Sequence, residues 1–143
     1  MNVPESIRNY FFNCTLPTYI LDENWHFVAM NTAFRCLIGE EWDCEIGTSV
    51  FDVVEKFDNK EEILQRADIR FGEGTDPQVD HEYLRFTSNK YGKVEAQKIA
   101  AKIPGENGKP DFWVLQLNVL SADNLQQLFD DMLSAIEPSR HKS

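Results

Sequence analysis

Leu16-Pro17-Thr18-Tyr19-Ile20-Leu21-Asp22-Glu23-Asn24-Trp25-His26-Phe27-Val28-Ala29-Met30-Asn31 carries the first decision about architecture. Two short apolar runs flank a polar turn at Asp22-Glu23-Asn24, the pattern of a tight hairpin. Beyond Asn31, Ala33-Phe34 and Leu37-Ile38 recur at helical spacing as far as Gly39. The side-chain oxygen of Asn31 suits an N-cap, accepting from a first-turn amide that the helix leaves unbonded, and Gly39 has the permissive backbone that ends a helix. The order is a hairpin, then a helix.

Towards the C-terminus, Glu82 to Ser88, Lys93 to Ile103 and Asp111 to Leu120 are strand-like, separated by Lys90-Tyr91-Gly92 and Gly105-Glu106-Asn107-Gly108. Asn107-Gly108 is a hairpin signal, because both residues tolerate the positive φ that such turns require. Between the two halves, Val50, Phe51, Val54 and Phe57 predict a short connector helix within 48–57. Asp58 or Asn59 can cap a longer helix with the stripe Ile63, Leu64, Ala67 and Phe71, and 72–78 reads as a loop. Helices are expected at both ends. Ile7, Tyr10, Phe11 and Cys14 mark one over 5–14, and Leu125, Leu128, Phe129, Met132, Leu133 and Ile136 mark one from Ser121 to Ile136. Ser121 or Asp123 would cap it, and Pro138 would end it.

A chain of 143 residues suits one domain with a real core. Its net charge of −10 argues against direct contact with nucleic acid, which needs a basic face to displace counterions. Cys14, Cys36 and Cys44 are odd in number and contain no CxxC pair, so a reducing cytoplasm is the expected home. There is no basic-then-apolar leader, and no apolar run approaches the ~20 residues that span a bilayer.

A short helix, a tight hairpin, connector helices and three longer antiparallel strands together resemble a PAS domain. The implied fold class is α+β, a five-stranded antiparallel sheet with connector helices on one face and flanking N- and C-terminal helices. The expected division is an amphipathic helix over 1–15, the PAS-like domain over 16–121, and an output or linker helix with a polar tail over 122–143. The resemblance implies a sensory, signal-transduction module that binds a small ligand or cofactor, forms homodimers, or does both, and so regulates an output domain such as a kinase, cyclase or DNA-binding unit.

The last strand offers two faces. Alternation alone sends the fully apolar set, Trp113, Leu115, Leu117 and Val119, to the core, leaving Phe112, Val114, Gln116 and Asn118 outside. The resemblance implies the reverse, since a glutamine at the position of Gln116 faces the cofactor in the flavin-binding LOV branch. Leu115 and Leu117 would then belong to an outer apolar face covered by a terminal helix or a second copy. The photoactive cysteine motif of that branch is missing, because 48–52 reads Thr-Ser-Val-Phe-Asp. Haem-binding relatives use a histidine on the long helix, and none occurs over 59–71; His81 follows it and His26 lies in the first hairpin. The cofactor is left unassigned: none, a small organic ligand, flavin or haem.

The expected pocket residues are Phe34, Leu37, Phe51, Val54, Leu64, Phe71, Phe112, Val114 and Gln116, with Arg85 available to a ligand carboxylate if it points inward. No GxSxG, HExxH, Walker-type, dinucleotide-binding or metal-spaced motif is present, so an enzyme is not expected. The alternative class is a small cone-shaped α+β isomerase or dehydratase, marked by an acid/base pair buried in its pocket.

Overall fold

The computed structural model describes the backbone of residues 16–71 and 79–141, and the side chains of 16–65 and 82–134. The helix expected over 5–14 and the loop over 72–78 lie outside the described residues. The first hairpin is β1 (Thr18–Leu21) and β2 (Phe27–Met30), and its turn is held by the Asp22 carboxylate, which accepts from the amides of Asn24 and His26 at 2.9 and 3.0 Å. Asn31 then does two jobs. Its Oδ1 accepts from Phe34 N at 3.0 Å as the N-cap of α1 (Thr32–Phe34) and from Thr18 N at 2.9 Å, while its Nδ2 donates to Leu16 O at 2.8 Å.

α1 widens at once into a π-helical turn, Arg35–Gly39, closed by the Glu40 amide on Arg35 O at 2.9 Å. The helix ends near Gly39 as expected, but by a different cause. Gly39 is absent from the residues of positive φ, and a Cβ there would meet Met30 Sδ and Arg35 at an ordinary 3.6 Å. The connector is α2 (Val50–Val54), capped by Ser49, and the long helix is α3 (Lys60–Phe71). Three strands follow, β3 (Val79–Ser88), β4 (Gly92–Ile103) and β5 (Phe112–Ala122), and then α4 (Leu125–His141).

All five strands form one antiparallel sheet in the order β2-β1-β5-β4-β3. The fold class is therefore the expected α+β one, and the β1–β5 pairing brings the two ends of the domain together. Each edge strand is capped at one place. Phe27 of β2 exchanges backbone hydrogen bonds with Gly47 and Thr48, and Asn59 caps the free edge of β3 by donating to Tyr83 O and accepting from Arg85 N, both at 3.0 Å. Such cover removes unpaired edge groups that would otherwise recruit another strand.

The core lies between the sheet and α1–α3. Tyr19, Phe27 and Phe34 stack with ring centroids 4.7–5.8 Å apart, and Trp42, Phe57 and Phe86 meet edge-on at 5.3–5.7 Å. Each aromatic pair contributes about 0.5–1.5 kcal/mol beyond its burial.

Two details of the C-terminal part correct the sequence expectation. β5 continues through Ser121 and Ala122, so neither Ser121 nor Asp123 starts the helix; Asp123 instead accepts from Lys93 N at 2.9 Å, and the first helical bond runs from Leu128 N to Asn124 O. Pro138 falls inside α4. A proline removes one amide donor, and near a helix end that leaves few turns to disrupt.

Candidate functional site

The inner face of the sheet and α1, α2 and α3 enclose an apolar cavity of ≈ 60 Å³. Strand register decides what reaches it. On β5, Leu115 stands opposite Tyr19 of β1 and Ala100 of β4, and Leu117 stands opposite Lys98; these residues share the inner face. Trp113, Leu115 and Leu117 are accordingly buried at 7%, 5% and 1% exposure and line the cavity.

Gln116 is on the other face. It lies opposite Thr18 and Ile99, and its Nε2 donates to Thr18 Oγ1 at 3.3 Å. The facing expected from the LOV resemblance is thus corrected, and Leu115 and Leu117 are core residues. The physical reason is the pattern of β5 itself. Turning Gln116 and Asn118 inward would bury two amides in apolar surroundings and expose Trp113, Leu115 and Leu117, losing about 1.5–3 kcal/mol for each large apolar side chain.

Of the pocket residues expected from sequence, Phe34, Phe51 and Val54 line the cavity. Leu37 is buried in the core without lining it, and Leu64 is half-buried against the core. Phe112 and Val114 share the outer face with Gln116, and Phe112 borders a separate surface cleft of ≈ 260 Å³ beside Asp22 and Asp111. The Phe71 and His81 side chains lie outside the described ones. Arg85 points outward, its Nε donating to Glu95 Oε2 at 2.9 Å.

Sequence reasoning missed the cavity's polar feature. Glu82 on β3 and Lys98 on β4 are directly opposite in register, face inward, and meet at 2.6 Å with side chains 2% and 9% exposed. A signal was available in the alternation: Lys98 is in phase with Val94, Ala96 and Ala100, and Glu82 with Leu84 and Phe86, all buried. Tyr19 also lines this space, and burial, followed by the charge of Glu82, pushes its phenol well above the ordinary value. Trp25 lies against Trp113, ring centroids 5.9 Å apart, on a backbone with φ +63°, a left-handed conformation unusual for so bulky a residue.

A second polar assembly joins this wall to α4. Phe34 and Ile38, on α1 and the π-helical turn, line the cavity; Cys36 between them meets Tyr91 Oη at 3.6 Å, and Tyr91 Oη donates to Asp131 Oδ2 on α4 at 2.7 Å. Tyr91 is held in place by its turn, where its amide donates to Ser88 Oγ at 3.1 Å and its carbonyl accepts from Asn124 N at 3.0 Å. Gly92, at φ +74°, completes that turn, and a Cβ there would collide with Asp123.

The cofactors implied by the resemblance do not fit this lining. Benzene fills an engineered cavity of about 150 Å³, whereas this cavity measures ≈ 60 Å³. An isoalloxazine or a porphyrin is larger still, Gln116 is outside, and no described lining residue is a histidine. Among the described residues there is no group of three or more metal-ligating side chains, and no helix is long and apolar enough to cross a membrane.

No protein-family model and no curated protein matches the chain. Solved structures do. The PAS domain of Bordetella pertussis BvgS superposes with a TM-score of 0.62 at 16% identity, covering 88% of this chain and 93% of that one. The Rhodobacter sphaeroides LOV protein gives 0.59 at 14% identity, covering 92% and 80%. A PAS domain from a two-component sensor histidine kinase gives 0.50 at 13% identity, covering 80% and 94%. With the strand order and connector helices already described, these likenesses define the fold as that of a PAS domain. They also correct the cone-shaped alternative as a fold.

Proposed function

We propose that this chain is a sensory PAS module in which occupancy of the inner cavity alters the docking of α4, and α4 conveys the change to an output domain or partner. The observation that carries this is the contiguous path from Phe34 and Ile38 on the cavity wall, through Cys36 and Tyr91, to Asp131 on α4. A ligand has to favour one of two α4 arrangements to shift their balance, and this path is where such a difference is felt. The sensor histidine kinase and BvgS neighbours are in keeping with signal reception.

The boundaries proposed are 16–121 for the sensing domain, with an amphipathic helix over 1–15 and an output or linker helix with a polar tail over 122–143, in a cytoplasmic setting. Association with a second copy is proposed through the outer sheet face and the terminal helices. Tyr83 and Ile99 on that face are each 46% exposed, and Phe129 and Leu133 on α4 are 43% and 57% exposed. These are large apolar groups of the kind that interfaces cover.

The test is an absorbance spectrum of freshly purified protein between 300 and 600 nm, with mass spectrometry of anything released on denaturation. A colourless protein releasing a small metabolite supports the proposal. A Soret or flavin band would contradict the pocket geometry on which it rests.

A further inference from the structure

The inner cavity, taken as the sensing site proposed above, meets solvent at a definable place. Among its described lining residues, all are buried except Trp25, Val50 and Phe51. Those three come together because 47–50 runs beside the start of β2. Val50 N donates to Trp25 O at 2.8 Å, Gly47 N donates to Phe27 O at 2.7 Å, and His26 bridges to Ser49. Phe51, in the first turn of α2, is 39% exposed although it lines the cavity. The entrance is therefore framed by two aromatic side chains and a valine.

Trp25 is the bulkiest member of that frame. Its indole lies against Trp113, which is buried on the inner face of β5. Its backbone has φ +63°, where glycine or asparagine is the ordinary occupant and a tryptophan is not. Such an outlier persists only where its surroundings over-determine it. Here both backbone polar groups are fixed, the amide donating to Asp22 O at 3.0 Å and the carbonyl accepting from Val50 N at 2.8 Å. A turn that needed only left-handed backbone would be served by a smaller residue, so what tryptophan adds is bulk at the entrance. Leu115 and Leu117 follow Trp113 on the inner face, and Leu117 marks the far end, about 13 Å beyond Trp113 along an extended strand.

We infer that a ligand enters the cavity between Trp25 and Phe51, and that the Trp25 indole sets the size of what is admitted. The wild-type chain takes a small apolar ligand, since its entrance is wholly apolar and a space of ≈ 60 Å³ holds only a few non-hydrogen atoms. Without the indole, the volume it vacates joins the cavity, and an aromatic molecule of the same size fits. Trp25 is thus a specificity-determining residue, and Phe51 governs how fast a ligand passes.

The test is NMR of the full-length chain with labelled methyl groups, with xenon and indole as probes. Xenon is expected to shift the Leu115 and Leu117 signals of the wild type, and indole is not. Trp25→Gly suits the left-handed backbone and removes the side chain. In that variant indole is expected to shift Leu115 with a Kd at least about tenfold below its wild-type value, the least that burying an aromatic ring provides. Phe51→Ala is expected to speed xenon exchange severalfold, whereas Leu117→Val, which makes room at the far end, leaves the rate unchanged. Equal indole binding by wild type and Trp25→Gly would overturn the size limit, as would the absence of indole binding to the variant. Equal exchange rates in Phe51→Ala and Leu117→Val would overturn the entrance. Trp25→Asn, also at ease on that backbone, decides the size limit if the glycine variant folds poorly. Xenon that leaves Leu115 and Leu117 unshifted in the wild type would instead remove the pocket reading itself.

Discussion

Asn31 concentrates much of the fold in one side chain, because its amide caps α1 and ties that cap to Thr18 of β1 and to Leu16. It is 3% exposed, so water does not replace what is lost on truncation. Asn31→Ala is expected to cost about 3 kcal/mol, a lost cap plus a buried amide left without its partner, read as a lower urea midpoint at unchanged slope. Cys44 gives a pH-dependent prediction. Burial pushes its thiol from the ordinary 9.0 up to about 11, so the folded state holds its proton where the unfolded state has lost it. The associated stability is intact below pH 9.0 and is lost as pH rises towards about 11. Urea midpoints should fall across that window in the wild type and fall less in Cys44→Ala; equal slopes would remove Cys44 from the account.

Strands and helices show what could be read from sequence and what could not. Asp22-Glu23-Asn24, Asn31 and Asn107-Gly108 announce their turns and cap through local chemistry, and the structure agrees: Asn107 and Gly108 have φ of +55° and +76°. The long strands were legible from alternation for the same reason, since period two needs no knowledge of partners. The pocket was legible only where a helical stripe supplies it, as at Phe34, Phe51 and Val54. Gln116 was misplaced because likeness to a flavin-binding strand outweighed the pattern of β5, in which every second residue from Trp113 to Val119 is apolar. Glu82 and Lys98 went unread because an ion pair between strands depends on register, which no single strand displays. Removing one partner should be costly: Lys98→Met takes away the ammonium 2.6 Å from the buried Glu82 carboxylate and should lose about 3–5 kcal/mol. Chemical denaturation of the variant checks this, and an unchanged urea midpoint would contradict it.

At the scale of the molecule, an acidic PAS fold encloses a small cavity on one side of its sheet and presents exposed apolar residues on the other. Association through that outer face predicts that Ile99→Glu weakens self-association by at least about tenfold with an unchanged circular dichroism spectrum, as expected for a residue buried by an interface. Sedimentation at several concentrations measures it, and a wild-type chain that is monomeric throughout would refute the homodimer. The central claim is the link between cavity and α4. Ala100, 2% exposed on the inner face, lines the cavity, so Ala100→Val adds bulk there as a ligand would. Hydrogen–deuterium exchange of Ala100→Val should differ from wild type at 128–134 in α4, and the difference should vanish when Tyr91→Phe is present in both backgrounds. Exchange that changes only in β4 and β5, with α4 untouched, would contradict the claim.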